Sequence, residues 1–204
     1  VFTAPVRRWF QPAAGRSAGW LPAVWLALVI WLAVGASLAH ADGIELSALD
    51  LTRGDEGLLL GYTASVVLPH AVEDALQKGV PLHFVAEAEV LRSRWYWRDK
   101  RVARATRTWR ITWQPLTRRY RVNFGSLSQS YDSLSDALWV VQRATRWKLA
   151  EAGDLDDGNG QYLEFSLRLD TSQLPRPLQI SFGGQAEWAL EVERRLAVPE
   201  AQPR

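Results

Sequence analysis

The stretch from Arg92 to Arg121 gathers the side chains of this chain best suited to hold a partner. It carries eleven Lys or Arg residues against one acid, Asp99, and interleaves them with Trp95, Tyr96, Trp97, Trp109, Trp113 and Tyr120. Aromatic rings offer faces on which sugars or bases stack, and guanidinium groups hold phosphate or carboxylate, so the pattern suits an anionic partner. The plainer reading is a half-buried sheet in which alternation sends the tryptophans to the core and the arginines to solvent. Residues that would carry binding are Arg92, Arg94, Trp97, Arg98, Arg101, Arg104, Arg107 and Arg110.

Other constellations are weaker. Asp154-Leu155-Asp156-Asp157-Gly158-Asn159-Gly160 looks like a calcium loop, but Gly158 takes a ligand position, Asn159 the glycine position and Phe165 the place of the distal Glu. A solvated turn is the better reading. After the first 41 residues the only histidines are His70 and His83, and neither has companions at zinc-ligand spacing. Glu87 and Glu89 share a strand face and could act as an acid/base pair, but arginines close by favour charge pairing. The chain has no cysteine, which removes disulfides, thiolate metal sites, a cysteine nucleophile and a lipid-modified anchor. No phosphate loop, nucleophile elbow or dinucleotide fingerprint occurs. The expectation is therefore no catalytic residues, no metal and no cofactor.

These residues need a scaffold, and the 204-residue chain has the composition of a globular protein, 48% hydrophobic and 23% charged. Three of the 24 basic residues, Arg7, Arg8 and Arg16, precede Asp42, and none of the 22 acids does. The remainder is close to neutral, so its field as a whole does not favour nucleic acid. Those three arginines, the apolar run Trp20 to Val34 and the small-residue ending Ala39-His40-Ala41 have the order of a secretory signal peptide. An uncleaved anchor is the alternative, since no charge falls between Arg16 and Asp42. Either way the domain from Asp42 onward is expected in the periplasm, Sec-exported, and tied to the inner membrane if the signal stays on. Arg7-Arg8-Trp9-Phe10 also partly matches a twin-arginine signal.

One domain is expected over 42–198, with a frayed tail at 199–204. Ile44 to Arg53 and Leu58 to Leu68 read as a hairpin around Gly54-Asp55-Glu56-Gly57, and His70 to Lys78 as a short helix stopped by Gly79. From Val80 the period is two, with a phase slip near Val90-Leu91 that signals a bulge, and the apolar set then runs on to Trp95 and Trp97. A turn at Arg98-Asp99-Lys100 leads to a strand through Trp113, and another at Gln114-Pro115-Leu116-Thr117 into Arg118 to Phe124. Ser133 to Ala150 reads as the long helix, opened by Ser133 and Asp136 as an approximate capping box. Gln161 to Asp170 alternates as a strand, Leu174-Pro175-Arg176-Pro177 is a crossover, and Gln185 to Arg194 reads as an edge strand. The fold class that follows is α+β: an antiparallel, mostly meander sheet of about seven strands, sandwich-like, with one long and one short helix.

The exported start, the Glu45 to Tyr62 hairpin, Arg92-x-x-Trp95-x-Trp97 followed by Trp109-Arg110-Ile111 and Tyr120-Arg121-Val122, and the Ser133-x-Ser135-x-Ala137-Leu138 helix resemble an exported proteobacterial family catalogued as a domain of unknown function. The resemblance covers nearly all of Asp42 to Val198. No catalytic residues are assigned in that family, so the resemblance carries none over. Members are often encoded beside a sensor histidine kinase of the nitrogen-regulation type, which implies a role near that sensor's periplasmic part. The expected function is a non-catalytic periplasmic interaction module contacting an envelope protein. The alternative is a binder of anionic lipid or cell-wall polymer through the same Arg/Trp strands.

Overall fold

The computed structural model describes residues 43–96, 98–155, 160–174 and 186–199. The expected export segment, Trp97, residues 156–159 of the acidic loop, the proline crossover and the tail from 200 lie outside them. Strands β1 (Gly43–Gly54) and β2 (Gly57–Val67) form the expected hairpin, closed at Gly54 opposite Gly57. Gly57 has φ +104°, and a Cβ there would collide with the carbonyl oxygen of Ala150, so the turn requires glycine twice over. Helix α1 (His70–Gln77) starts after Pro69 and buries Val72, Ala75 and Leu76. It stops at Gly79, whose N–H bonds to Leu76 O and whose φ is +92°.

The chain then lays down β3 (Leu82–Arg92), β4 (Lys100–Gln114), β5 (Arg119–Phe124) and β6 (Leu127–Tyr131) as an antiparallel meander. Helix α2 (Leu134–Gln142) and strand β7 (Arg143–Ala150) follow, then β8 (Gln161–Leu169) and β9 (Glu191–Ala197). The described strands form two antiparallel sheets, β1-β2-β7 and β6-β5-β4-β3-β8-β9. The class is α+β, as expected, with nine strands and two helices among the described residues.

One apolar core lies between the inner faces. Leu58, Leu60 and Tyr62 of β2 join Phe84, Ala86 and Ala88 of β3 and Leu163, Phe165 and Leu167 of β8. The Tyr62 and Phe165 rings meet at 4.9 Å across the two sheets. Each large apolar side chain so buried contributes about 1.5–3 kcal/mol, and with no cysteine this core is what holds the domain together. The phase slip is a real bulge: the β3–β4 register shifts between Val90 and Leu91. Among the described residues no helix is long and apolar enough to cross a membrane.

Three expectations need correction. The long helix ends at Gln142, and Arg143–Ala150 is strand β7 paired with β2, so the two helices are nearly equal in length. Its start is as expected: Ser133 Oγ accepts from Asp136 N at 3.1 Å. The misreading has a local cause. A register break between Leu60 and Tyr62 and a left-handed Arg146 (φ +50°) insert an extra residue into β7. Buried Ala144 and Trp147 thus stand three apart and imitate helical spacing. Second, β3 stops at Arg92, so Trp95 is not on a core face but 94% exposed. Third, the last strand begins at Glu191. Ahead of it Ala186–Trp188 is a single tight turn that drives Trp188 and Leu190 into the core.

Candidate functional site

Between β3 and β4 the described residues 93–96, 98 and 99 lie at the tip of a hairpin, and one carboxylate organises it. Asp99 accepts the backbone N–H of Arg94 at 3.2 Å and the phenol O–H of Tyr162, which reaches over from β8. The Tyr162 hydrogen bond is the main reason the Asp99 carboxyl is held below the usual carboxylate range, followed by the Arg94 N–H. The same bond raises the Tyr162 phenol above its ordinary value. Ser93 N bonds to Gly160 O at 2.9 Å and ties the other side of the tip down.

What the tip presents follows from those ties. Trp95 and Tyr96 project into solvent, 94% and 66% exposed, and their rings meet edge to face at 5.2 Å. Arg94, Arg98 and Lys100 flank them along the chain and meet no carboxylate within ion-pairing distance among the described residues. Asp99, the one acid in the segment between β3 and β4, is engaged by its two donors. The tip is therefore an uncompensated cationic surface around two exposed rings.

The outer face of the six-stranded sheet draws on the same arginine-rich stretch differently. Arg104, Glu89, Glu164 and Arg195 stand in register across β4, β3, β8 and β9. The two glutamates are directly opposite each other, an unfavourable placement, and each is neutralised from its other side. Arg104 bonds Glu87 and lies 3.3 Å from Glu89, Arg101 lies 3.2 Å from Glu89, and Arg195 bonds Glu164. A shallow groove of about 440 Å³ crosses this face, lined by Glu87, Glu89, Glu164, Ser166, Glu193 and Arg195 among others. Glu87 and Glu89 share the Arg104 guanidinium instead of occupying contrasting environments, the condition for dividing into acid and base.

The eight sequence-nominated residues thus separate. Arg94 and Arg98 sit at the tip, and Trp97 lies outside the described residues. Arg92 is half-buried at the end of β3, in register between Lys100 and Gln161. Arg101 and Arg104 belong to the charge ladder. Arg110 lies on the same outer face, about 20 Å along the strand from Arg104 and opposite His83. Burial, then Arg110, hold His83 below the usual histidine range, while Asp170 acts the other way.

Arg107 is displaced by parity, not distance. It shares the inner face with Trp109 and Ile111, and its guanidinium lies 4.8 Å from the Trp147 ring and 5.7 Å from the Phe124 ring. Burial lowers its pKa, and nearby Tyr62, which donates to Val141 O at 2.8 Å, opposes that. Of the nominated arginines, Arg104 and Arg110 thus share the outer face and Arg107 the inner one, because an odd spacing crosses the sheet. Sequence reasoning missed Lys100, Tyr96 and Tyr162 as parts of the tip. The available signal was the end of strict alternation at Arg92, which makes the next aromatics loop residues and not core. No set of three or more His, Asp or Glu side chains among the described residues is arranged to hold a metal ion.

A family model described as a domain of unknown function, DUF4390, matches residues 41–196. No curated protein and no solved structure matches the chain.

Proposed function

The chain belongs to this family of domains of unknown function, and from that premise we propose that it is a non-catalytic interaction module that grips an acidic surface of an envelope protein with the tip of the β3–β4 hairpin. The single observation that carries the reading is the pairing of exposed Trp95 and Tyr96 with Arg94, Arg98 and Lys100, cations without ion-pair partners among the described residues, on a tip pinned by Asp99. Trp, Tyr and Arg dominate the energetics of protein interfaces, and a pinned loop loses little entropy on binding. The module works in the periplasm, delivered by the apolar segment at Trp20–Val34, and the periplasmic part of a sensor histidine kinase is the partner class that the family resemblance suggests.

The same tip supports a second reading, a binder of anionic lipid or cell-wall polymer, because Trp and Tyr beside basic residues also suit a membrane interface. One pair of measurements separates the two. A photocrosslinking residue in place of Trp95 in the full chain, expressed in cells, is compared with one in place of Thr108 on the outer sheet face. The protein reading expects a discrete envelope-protein adduct from position 95 alone, abolished by Arg94→Glu with Arg98→Glu. Equal adducts from both positions, or none from position 95, overturn it. Flotation with phosphatidylglycerol vesicles but not with phosphatidylcholine vesicles, lost in the same double variant, is the outcome that favours lipid.

A further inference from the structure

We propose that the open edge of β6 pairs with the same edge of a second copy of this chain, joining two six-stranded sheets about a two-fold axis at Gln129. Independently of the hairpin tip, the two sheets leave four edges among the described residues, β1, β7, β6 and β9. Strand edges present unpaired N–H and C=O groups, and proteins blunt them with charges and bulges. Strand β1 carries Glu45, Asp50 and Arg53 and breaks register between Leu46 and Ala48. Strand β7 carries Arg143, Arg146 and Lys148 and two register breaks. Strand β9 carries Glu191, Glu193, Arg194 and Arg195. Strand β6 is Leu127-Ser128-Gln129-Ser130-Tyr131, without charge, proline or bulge, and exposed except for half-buried Tyr131.

The register of β6 says which groups are open. The two-residue turn Gly125-Ser126, with Gly125 at φ +56°, makes Phe124 and Leu127 the closing hydrogen-bonded pair. Antiparallel alternation then turns the backbone groups of Leu127, Gln129 and Tyr131 toward β5 and those of Ser128 and Ser130 toward the open edge.

The occupant follows from the strand's own symmetry. Read antiparallel about Gln129, the segment matches itself: Leu127 falls opposite Tyr131 of the second copy, Ser128 opposite Ser130, and Gln129 opposite Gln129. Ser128 and Ser130 of both copies are then the hydrogen-bonded pairs, in phase with the groups that face outward. Leu127, 66% exposed in the single chain, is covered by the second copy's tyrosine. An uncharged strand puts no like charges together across the axis and offers nothing for a charged foreign peptide to pair with.

Disulfide trapping tests this cleanly, because the chain has no cysteine. In the full chain, Gln129→Cys places the only thiol on the axis, at a non-hydrogen-bonded position where Cβ atoms approach within the range of a disulfide. Leu116→Cys, on a fully exposed turn residue, serves as the collision control. Mild oxidation of membranes and extract is expected to give a homodimer band from position 129 at least about tenfold stronger than from position 116. Adding Ser130→Pro to Gln129→Cys removes an outward N–H while leaving the β5 ladder intact, and is expected to abolish the band. Equal bands from both positions, no band from position 129, or a band that survives Ser130→Pro overturns the proposal. A mixed adduct of another mass in place of the homodimer overturns the choice of occupant.

Discussion

On the outer face of the six-stranded sheet, Arg101 and Arg104 reach across to Glu87 and Glu89, whereas at the hairpin tip just upstream Arg94, Arg98 and Lys100 meet no carboxylate among the described residues. Both regions come from one arginine-rich stretch. The difference is supplied by neighbouring strands: β3, β8 and β9 bring glutamates to the sheet face, while the tip has Asp99 alone, and Tyr162 and the Arg94 N–H engage it. A count of charges along the sequence therefore says little about where a field reaches solvent. Cross-strand register decides that, and it leaves attraction at the tip and a self-satisfied surface on the sheet.

The largest effect expected from that contrast is on binding. Trp95→Ala with Arg94→Glu and Arg98→Glu should weaken capture of the tip's partner at least about 30-fold, the scale of an interface hot spot. The melting temperature should hold, since Trp95 and Arg98 are exposed, Arg94 is half-buried and all three lie outside the core. Arg104→Ala should leave binding unchanged in the same titration. Equal losses from the two variants would break the distinction between the regions.

Next in size is the pin. Tyr162→Phe removes the phenol from Asp99 without touching any residue that faces the partner, so its effect on binding runs through the order of the tip. A three- to tenfold loss of affinity is about what restoring mobility to a few side chains costs. A hydrogen-exchange map of the variant should show the change confined to 93–99, with the sheet unaffected. Smaller again is the expected response of the charge ladder. Glu89→Gln releases Arg101 and eases the clash with Glu164, at under about 1 kcal/mol of stability, because the arginines are half-exposed and solvent screens the pairs. The released guanidinium should make the sheet face resemble the tip, seen as later elution from a polyanion column at low salt.

Most of the scaffold was legible in the residues because each strand that buries one face announces it by alternation. The β1–β2 hairpin, the bulge at Val90-Leu91 and the Ser133 cap are all read from side chains acting locally. Strand β7 was not legible, since its bulge turned a two-residue period into a three-residue one, and β2, which requires a second neighbour, overrode the local preference. Strand β6 gave no apolar alternation because an edge strand of serines and glutamine packs little on either face. The candidate site was half legible. Composition located the stretch, but the split between Arg104 and Arg107 needed strand parity, and the Asp99–Tyr162 bond joins residues brought together only by β3–β8 pairing.

The smallest effect concerns pH and separates the pin from everything else in the domain. Asp99 has a lowered pKa in the fold, so its contribution is present above the ordinary aspartate value near 4 and is lost as pH falls through the depressed one. Tyr162 has a raised pKa through the same bond, so its contribution is present below the ordinary tyrosine value near 10 and is lost as pH rises through the elevated one. The Arg94 amide donates to Asp99, and its NMR chemical shift should hold a plateau between those limits and move at both ends. In Tyr162→Phe the alkaline limb must vanish, since no phenol remains to ionise. The acid limb must move toward the ordinary carboxylate value, since the Tyr162 hydrogen bond is the largest influence holding Asp99 down and the Arg94 N–H is left to act with one partner fewer. A variant that keeps both limbs would assign them to other groups, and the tip would then owe its position to the backbone ties at Ser93 alone.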